Sequence, residues 1–243
     1  MTDRYYFPRL GTVLEGPIEL DMDETRHAVR ARRHRVGDRV EVFDGLGRLA
    51  VAVVLATPGR GPMRLEPVER VEYGPAPRGL HIACAVPKGD RVETLLDMAT
   101  QLGVAGFTPL RFERSVRNPG AGRESRWRRV LVEAAKQSRR LHLPTIDTLC
   151  DFAEWLARTE VGAAWLADPE AEPLARPADL FAGAGAAGPM VIVGPEGGLT
   201  DAEVELARKV GCRPLGLGSH VLRVETAAVA AAALAAAVPV ADR

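Results

Sequence analysis

From residue 80 onward, short apolar runs alternate with stretches of helical periodicity, and this alternation constrains the fold more than any other feature of the chain. LHIACAV (80–86) reads as a continuous apolar strand of the kind buried on both faces. KGDRVETLLDMATQLG (88–103) then sets Val92, Leu95, Leu96, Ala99 and Leu102 at helical spacing and reaches Gly103, a residue suited to end a helix. GFTPL (106–110) is a short strand, and an arginine-rich helix is predicted over 125–140. VGAAWLAD (161–168) and PMVIV (189–193) are further strands. Thr200, Asp201, Ala202 and Glu203 form a capping box that opens a helix running to about Gly211. PLGLG (214–218) is a last short strand, followed by an alanine-rich helix over 225–238. Repeated strand–helix units predict an α/β fold with a mostly parallel sheet and helices on both faces.

The first 72 residues follow a different pattern. RVEVFDGLGRLAVAVVLA (39–56) has the form strand, turn, strand, with Asp44, Gly45 and Gly47 supplying the turn. Residues 63–71 alternate apolar and charged side chains, as a half-buried strand does. A short helix over 23–32 interrupts these strands, and the Pro/Gly-rich EYGPAPRG (72–79) is the linker candidate. Several strands and one helix predict a small β-barrel-like domain ahead of the α/β domain. A length of 243 residues is ample for both cores.

The chain carries 32 basic and 32 acidic side chains, which argues against indiscriminate coating of nucleic acid or anionic lipid. The charge is unevenly spread: residues 76–142 hold 13 basic and 6 acidic side chains, while 143–243 hold 7 and 14. All cations but Lys88, Lys136 and Lys209 are arginines, a bias that a GC-rich genome explains as well as function does. Three widely spaced cysteines (Cys84, Cys150, Cys212) predict neither a disulfide framework nor a zinc site. Cys84, inside an apolar strand, is expected in the core. The five histidines show no metal-ligand spacing, so no metal is expected; His220 is expected to fill a turn. MTDRYYFPRL has no secretory apolar run, and the low-polarity stretch 227–240 is shorter than a membrane span, so a soluble, cytoplasmic protein is expected.

Residues 183–188 match GxGxxG letter for letter, but they follow ADLFA and lead into a strand. A dinucleotide site needs the opposite order, a strand before and a helix after, so a flexible linker is the better reading. A stronger signal is a pair of glycine-rich loops after successive strands, 194–199 and 215–227. Ligands of open α/β sheets bind outside the carboxyl ends of strands, and glycines let backbone approach them closely. Two tight turns without a ligand remain the alternative.

GPEGGLTDAE (194–203), followed some twenty residues on by LGSHVLRVETAAVAA (217–231), resembles the RsmE family of SPOUT RNA methyltransferases. KGDRVETLLDMATQLGV, GFTPLRFERSV and EAAKQSRRLHLP are similar to further segments of that family, although SRRLHLP departs from its more usual SGRNR-type stretch. RHAVRARRHRVGDRVEVFDGLG resembles the family's PUA-like RNA-binding barrel. The resemblance implies a PUA-like β-barrel domain over 1–72 and a SPOUT domain with a C-terminal trefoil knot over 73–243, working as a homodimer. It implies transfer of a methyl group from S-adenosyl-L-methionine to N3 of a uridine in 16S ribosomal RNA of the small subunit, position 1498 in the usual rRNA numbering. It also implies that the cofactor lies between the two glycine loops and the GFTPL loop. The positions carried over are Leu110, Gly194, Pro195, Glu196, Gly197, Leu217, Gly218, Leu222, Val224 and Thr226, with Leu222 and Val224 flanking the adenine.

The reaction sets its own requirements. A sulfonium makes the methyl group electrophilic, so the enzyme must chiefly align the nucleophile with it. Deprotonating uridine N3 near neutral pH costs about 3–4 kcal/mol, which a guanidinium beside the uracil anion or a carboxylate accepting the proton would offset. Arg223 and Glu225 suit those roles, and Arg114 is a third candidate; no cysteine nucleophile is needed. RNA contact is expected from Arg26, Arg30, Arg32, Arg33, Arg35 and Arg39 on and after the N-terminal helix, and from the basic run ending at Arg140. For each run alone, a solvated charged helix is the alternative. The last helix, rich in small residues, is compatible with dimer packing or with an intramolecular core. Other readings left open are a SPOUT enzyme acting on another RNA or base atom, a non-catalytic RNA-binding module and, distantly, a nucleotide-dependent oxidoreductase.

Overall fold

The structure is a computed structural model that describes residues 2–12, 16–57, 61–74, 78–115, 122–159, 163–186 and 188–239. Several sequence expectations fall outside the described residues: 75–77 of the linker, Val116 and Arg117, the start of the strand at 161–162, Ala187 and Val240. The chain divides into two units. One comprises 1–76 with 135–143, the other 77–134 with 144–243.

The first unit contains β1 (Arg4–Tyr6), β2 (Ile18–Glu19), α1 (Met22–Arg26), a π-helical turn (His27–Ala31), β3 (Arg39–Phe43), β4 (Arg48–Ala56) and β5 (Arg64–Glu72). Its five-stranded sheet has the order β1-β3-β4-β5-β2; β1 pairs with β3 in parallel, and the other pairs are antiparallel. Alternation along β3 and β4 turns Val40, Val42, Ala50, Ala52 and Val54 into a core shared with Tyr5, Ile18, Leu20 and Leu65. The hairpin closes as its turn residues require. The buried Asp44 side chain accepts from the backbone N–H of Leu46 (2.7 Å) and Arg48 (3.1 Å), and Gly45 and Gly47 both take positive φ. Pro67 is tolerated within β5 because it lies beside a register shift against β4. The predicted helix over 23–32 is capped at Asp21, which accepts from Asp23 and Glu24 N–H, but it widens into the π-helical turn after Arg26. Arg33 follows at φ 58.

Residues 135–143 complete this unit with polar ties. Lys136 Nζ lies 3.0 Å from Glu24 Oε1, each side chain 8% exposed. Arg139 and Arg4 both bind Glu41 Oε2, at 3.0 and 2.7 Å. Gly47 N–H donates to Leu141 O, and Leu143 N–H donates to Gly45 O.

The second unit contains β6 (His81–Ala85), α2 (Arg91–Gln101), β7 (Gly106–Arg111), α3 (Arg123–Ser138, its last turn in the first unit), β8 (Thr145–Ile146), β9 (Cys150–Asp151), α4 (Phe152–Arg158), β10 (Ala164–Ala167), a 3-10 turn (Pro177–Phe181), β11 (Met190–Val193), α5 (Asp201–Lys209), β12 (Arg213–Leu215) and α6 (Val224–Ala236). The sheet order is β12-β10-β11-β6-β7-β8, with β9 also on β7, and every pair is parallel. The central β6 and β11 are almost wholly buried, which accounts for their continuous apolar sequence. Val92, Leu95, Leu96 and Ala99 are the buried face of α2, and Gly103 turns the chain out at φ 85. The Thr200–Glu203 capping box forms.

The small residues of α6 have an intramolecular use: Ala227, Ala228, Ala231, Ala232 and Ala235 are buried, and the helix packs on α2, β6 and β11. The run 183–188 leads from the 3-10 turn into β11, not into a helix. No helix among the described residues is long and apolar enough to cross a membrane.

Candidate active site

Parallel strands release their chains at one edge of the sheet, so the segments after β7, β11 and β12 emerge at the carboxyl ends of strands in the same unit. After β11 the loop 194–199 turns sharply: Gly198 takes φ 73, and its N–H donates to Pro195 O at 2.9 Å. A Cβ on Gly194 would stand 2.9 Å from the Leu199 side chain, so the start of this loop admits no larger residue without rearrangement. Pro195 is buried, whereas Glu196, Gly197 and Gly198 are exposed.

The segment after β7 is fastened to this loop. Arg114 Nη1 donates to the carbonyl oxygens of Gly197 and Leu199, both at 3.2 Å. The N–H of Glu113 donates to Glu203 Oε1 (2.9 Å), the carboxylate that also caps α5. Leu110, at the end of β7, is buried. The exposed Arg114 thus engages the backbone of the glycine loop through Nη1.

After β12 the second loop leads into α6. Gly216 is required for packing, because a Cβ there would collide with the carbonyl oxygen of Ala171. Gly218 has a different use: φ is 133, a conformation closed to ordinary L-residues, and the space beside it is open. Leu217 and Leu222 are half-buried, Val224 is buried, and Thr226 is exposed. Val221 at the loop tip is 85% exposed, and His220 is exposed beside it, so His220 fills no buried turn. Arg223 is the N-cap of α6 and is exposed; its side chain enters no hydrogen bond or ion pair among the described residues.

Glu225 is the unusual member. Its side chain is 14% exposed, and Oε2 is buried without a hydrogen-bond partner. A buried carboxylate oxygen left unpaired is rare and marks a place where a donor belongs. A carboxylate in the first turn of α6 also sits favourably in the helix dipole. Near it, the fully buried Cys84 thiol is pushed up by burial and by the Glu225 charge, so it stays protonated and is no nucleophile.

One residue here was not singled out from sequence: Arg91, the first residue of α2. Its Nη1 is 3.8 Å from Glu196 Oε1 and its Nε is 3.8 Å from Glu225 Oε1. A cation at a helix N-terminus runs against the macrodipole, and that mismatch is the signal that marks it in the sequence.

The arginines expected to meet RNA lie in the first unit and are differently placed. Arg26 binds Asp23 and Met22 O, and Arg32 Nε is 3.3 Å from Asp3. Arg30, Arg33, Arg35 and Arg39 are exposed, and none forms a side-chain ion pair among the described residues. Arg140 is half-buried, and burial pushes its pKa down to about 10, so it remains a cation at neutral pH. On α3, Arg126 is held by Asp90 and Glu93, which cancels part of that helix's basic charge. Among the described residues, no group of three His, Cys, Asp or Glu side chains is placed to hold a metal ion.

Comparison with known proteins follows the division of the chain. Residues 74–236 match the model of an RNA methyltransferase domain, and residues 20–67 match that of an RNA methyltransferase PUA domain. A ribosomal RNA small subunit methyltransferase E from Mycobacterium bovis is 36% identical over 87% of this chain and 83% of its own length. Its counterpart from Synechocystis is 32% identical over 91% and 73%. Among solved structures, a ribosomal RNA small subunit methyltransferase E from Neisseria gonorrhoeae bound to S-adenosyl methionine superimposes with a TM-score of 0.82 at 26% identity, covering 96% of each chain. A probable rRNA-methyltransferase from Porphyromonas gingivalis gives 0.80 at 26%, covering 95% of each.

Proposed function

The chain belongs to the ribosomal RNA small subunit methyltransferase E family, and we propose that it methylates N3 of a single uridine in 16S ribosomal RNA within the small ribosomal subunit. It is an S-adenosylmethionine-dependent ribosomal RNA methyltransferase with an α/β catalytic unit and a PUA-like domain. The choice of N3 rests on family membership, and the observation that supports proton removal is the buried, unpartnered Oε2 of Glu225 beside two glycine loops at the carboxyl edge of a parallel sheet.

The residues present fit the cofactor. Gly218 holds open space in a backbone conformation reserved for glycine, Gly194 and Gly198 shape the facing turn, and the half-buried Leu217 and Leu222 supply apolar surface for an adenine ring, with the buried Val224 assigned beside them. Leu110, Pro195, Glu196, Gly197 and Thr226 complete the set we assign to it. Bound there, S-adenosylmethionine supplies an electrophilic methyl group. Glu225 accepts the N3 proton, and Arg223, exposed and uncommitted, stabilises the uracil anion; together they lower the cost of deprotonation of about 3–4 kcal/mol. Arg114 holds the cofactor loop.

On this reading 1–72 form the RNA-binding domain and 73–243 the methyltransferase domain, with 135–143 folded into the first unit. Arg30, Arg33 and Arg35 contact phosphate, and Arg26, Arg32 and Arg140 contribute from engaged or half-buried positions. Support for that role comes from the PUA match over 20–67 and the exposed arginines within it. The trefoil knot, the homodimer and a cytoplasmic location belong to the same proposal and rest on family membership. The test is transfer of labelled methyl from S-adenosylmethionine to purified small subunits lacking the modification. Label in 16S rRNA is expected; label confined to another RNA, or none, contradicts the proposal.

A further inference from the structure

We propose that Arg91 is a positioning residue for methyl transfer: its guanidinium ties the two glycine-rich loops together through Glu196 and Glu225 and presents Glu225 with one oxygen free. The proposal rests on the assignment of Glu225 as the acceptor of the N3 proton.

One guanidinium, 42% exposed, faces two carboxylates from different segments of the site. Arg91 opens α2, where the helix dipole disfavours a cation, and two carboxylates within 4 Å offset that mismatch. Both neighbouring carboxylates come from the site: Glu196 from the loop after β11, Glu225 from the first turn of α6. Each lies at 3.8 Å, close enough for charge attraction and too far for a hydrogen bond. A guanidinium forked onto Glu225 would occupy both oxygens. Here its approach to Oε1 stops at 3.8 Å, and Oε2 stays buried without a hydrogen-bond partner. The packing of α2 on α6 fixes the distance from which Arg91 acts. The carboxylate is therefore oriented without its acceptor capacity being used, which is what a proton acceptor in a prearranged site needs.

The experiment uses the full chain with unmodified small subunits. Arg91→Met is expected to lower kcat at saturating cofactor about 30-fold while the KM for S-adenosylmethionine moves less than about threefold. Arg91→Lys, which keeps the charge, is expected to recover most of that loss. In a Glu225→Gln background, Arg91→Met is expected to cause no further fall, because its effect runs through Glu225. An unchanged kcat, an equal fall in both backgrounds, or a loss explained wholly by weaker cofactor binding would overturn the proposal. Should Arg91→Met fail to fold, Arg91→Lys and Arg91→Gln decide: equal losses in both mean that the charge is not what matters, and the proposal falls. A wild-type chain that binds no S-adenosylmethionine and transfers no methyl would instead remove the assignment on which this rests.

Discussion

Arg114 Nη1 and the carbonyl oxygen of Gly197 lie 3.2 Å apart, joining the segment after β7 to the glycine loop after β11. The same nitrogen reaches Leu199 O, so the guanidinium acts as a brace on the loop. Arg114→Ala should therefore raise the dissociation constant for S-adenosylmethionine about tenfold, the equivalent of one or two exposed hydrogen bonds, and leave kcat at saturation near wild type. Calorimetric titration alongside saturation kinetics checks this. A large fall in kcat at saturation would place the guanidinium on the uridine.

Arg223 is exposed and without an ion-pair partner among the described residues, as a group awaiting an anionic substrate should be. Arg223→Ala is expected to lower kcat about 10²–10³-fold with cofactor affinity within about twofold. Full methyl transfer by Arg223→Ala would remove it from the chemistry.

Glu24 and Lys136 form an ion pair with each side chain 8% exposed. Removing one member leaves a buried charge, so Lys136→Met should cost about 3 kcal/mol, and Glu24→Gln with Lys136→Met should recover much of it. Urea unfolding followed in the first unit measures both. Additive losses would mean that the pair is not coupled.

His81 is half-buried, and its Nε2 lies 2.7 Å from Thr108 Oγ1, which donates to Asp147 at 2.5 Å. Burial lowers its pKa below the usual histidine value, against the opposing pull of Asp147 3.7 Å away. Below about pH 6.5 the unfolded chain binds a proton that the native chain refuses, so stability falls as pH drops through that value. Thermal midpoints from pH 7.5 to 5 should decline, and His81→Gln should decline less steeply. Parallel declines would contradict a His81 held neutral in the native chain.

Arg30 and Arg33 are exposed, and Arg32 lies between them in sequence. Replacing all three with glutamine should weaken RNA binding and reduce the salt slope by about 2, at roughly 0.7–0.9 per phosphate contact. An unchanged slope would place RNA elsewhere.

What was legible in the sequence follows from how locally it is determined. β6 and β11 are readable because burial on both faces demands an unbroken apolar run, and the start of α5 because Thr200 and Glu203 cap each other within four residues. The glycine loops were visible because Gly198 and Gly218 sit at backbone angles that other residues avoid. The two-residue strands β8 and β9 leave no periodicity to detect, and α4, a helix of seven residues, was not expected either. The return of 135–143 to the first unit depends on Lys136–Glu24 and Arg139–Glu41, pairs about a hundred residues apart in sequence that no local pattern announces. Arg91 shows locally only as a cation at a helix start; its partners Glu196 and Glu225 lie far along the chain. Oε2 of Glu225 became notable only once its surroundings showed no donor.

Uridine N3 lies on the Watson–Crick edge, where a methyl group stops reverse transcriptase. Primer extension on 16S rRNA, after unmodified small subunits are incubated with this chain and S-adenosylmethionine, reads methylation at that position. The prediction is one new, cofactor-dependent stop immediately 3′ of a single uridine, absent with Glu225→Gln. Methyl incorporation without any such stop would contradict it.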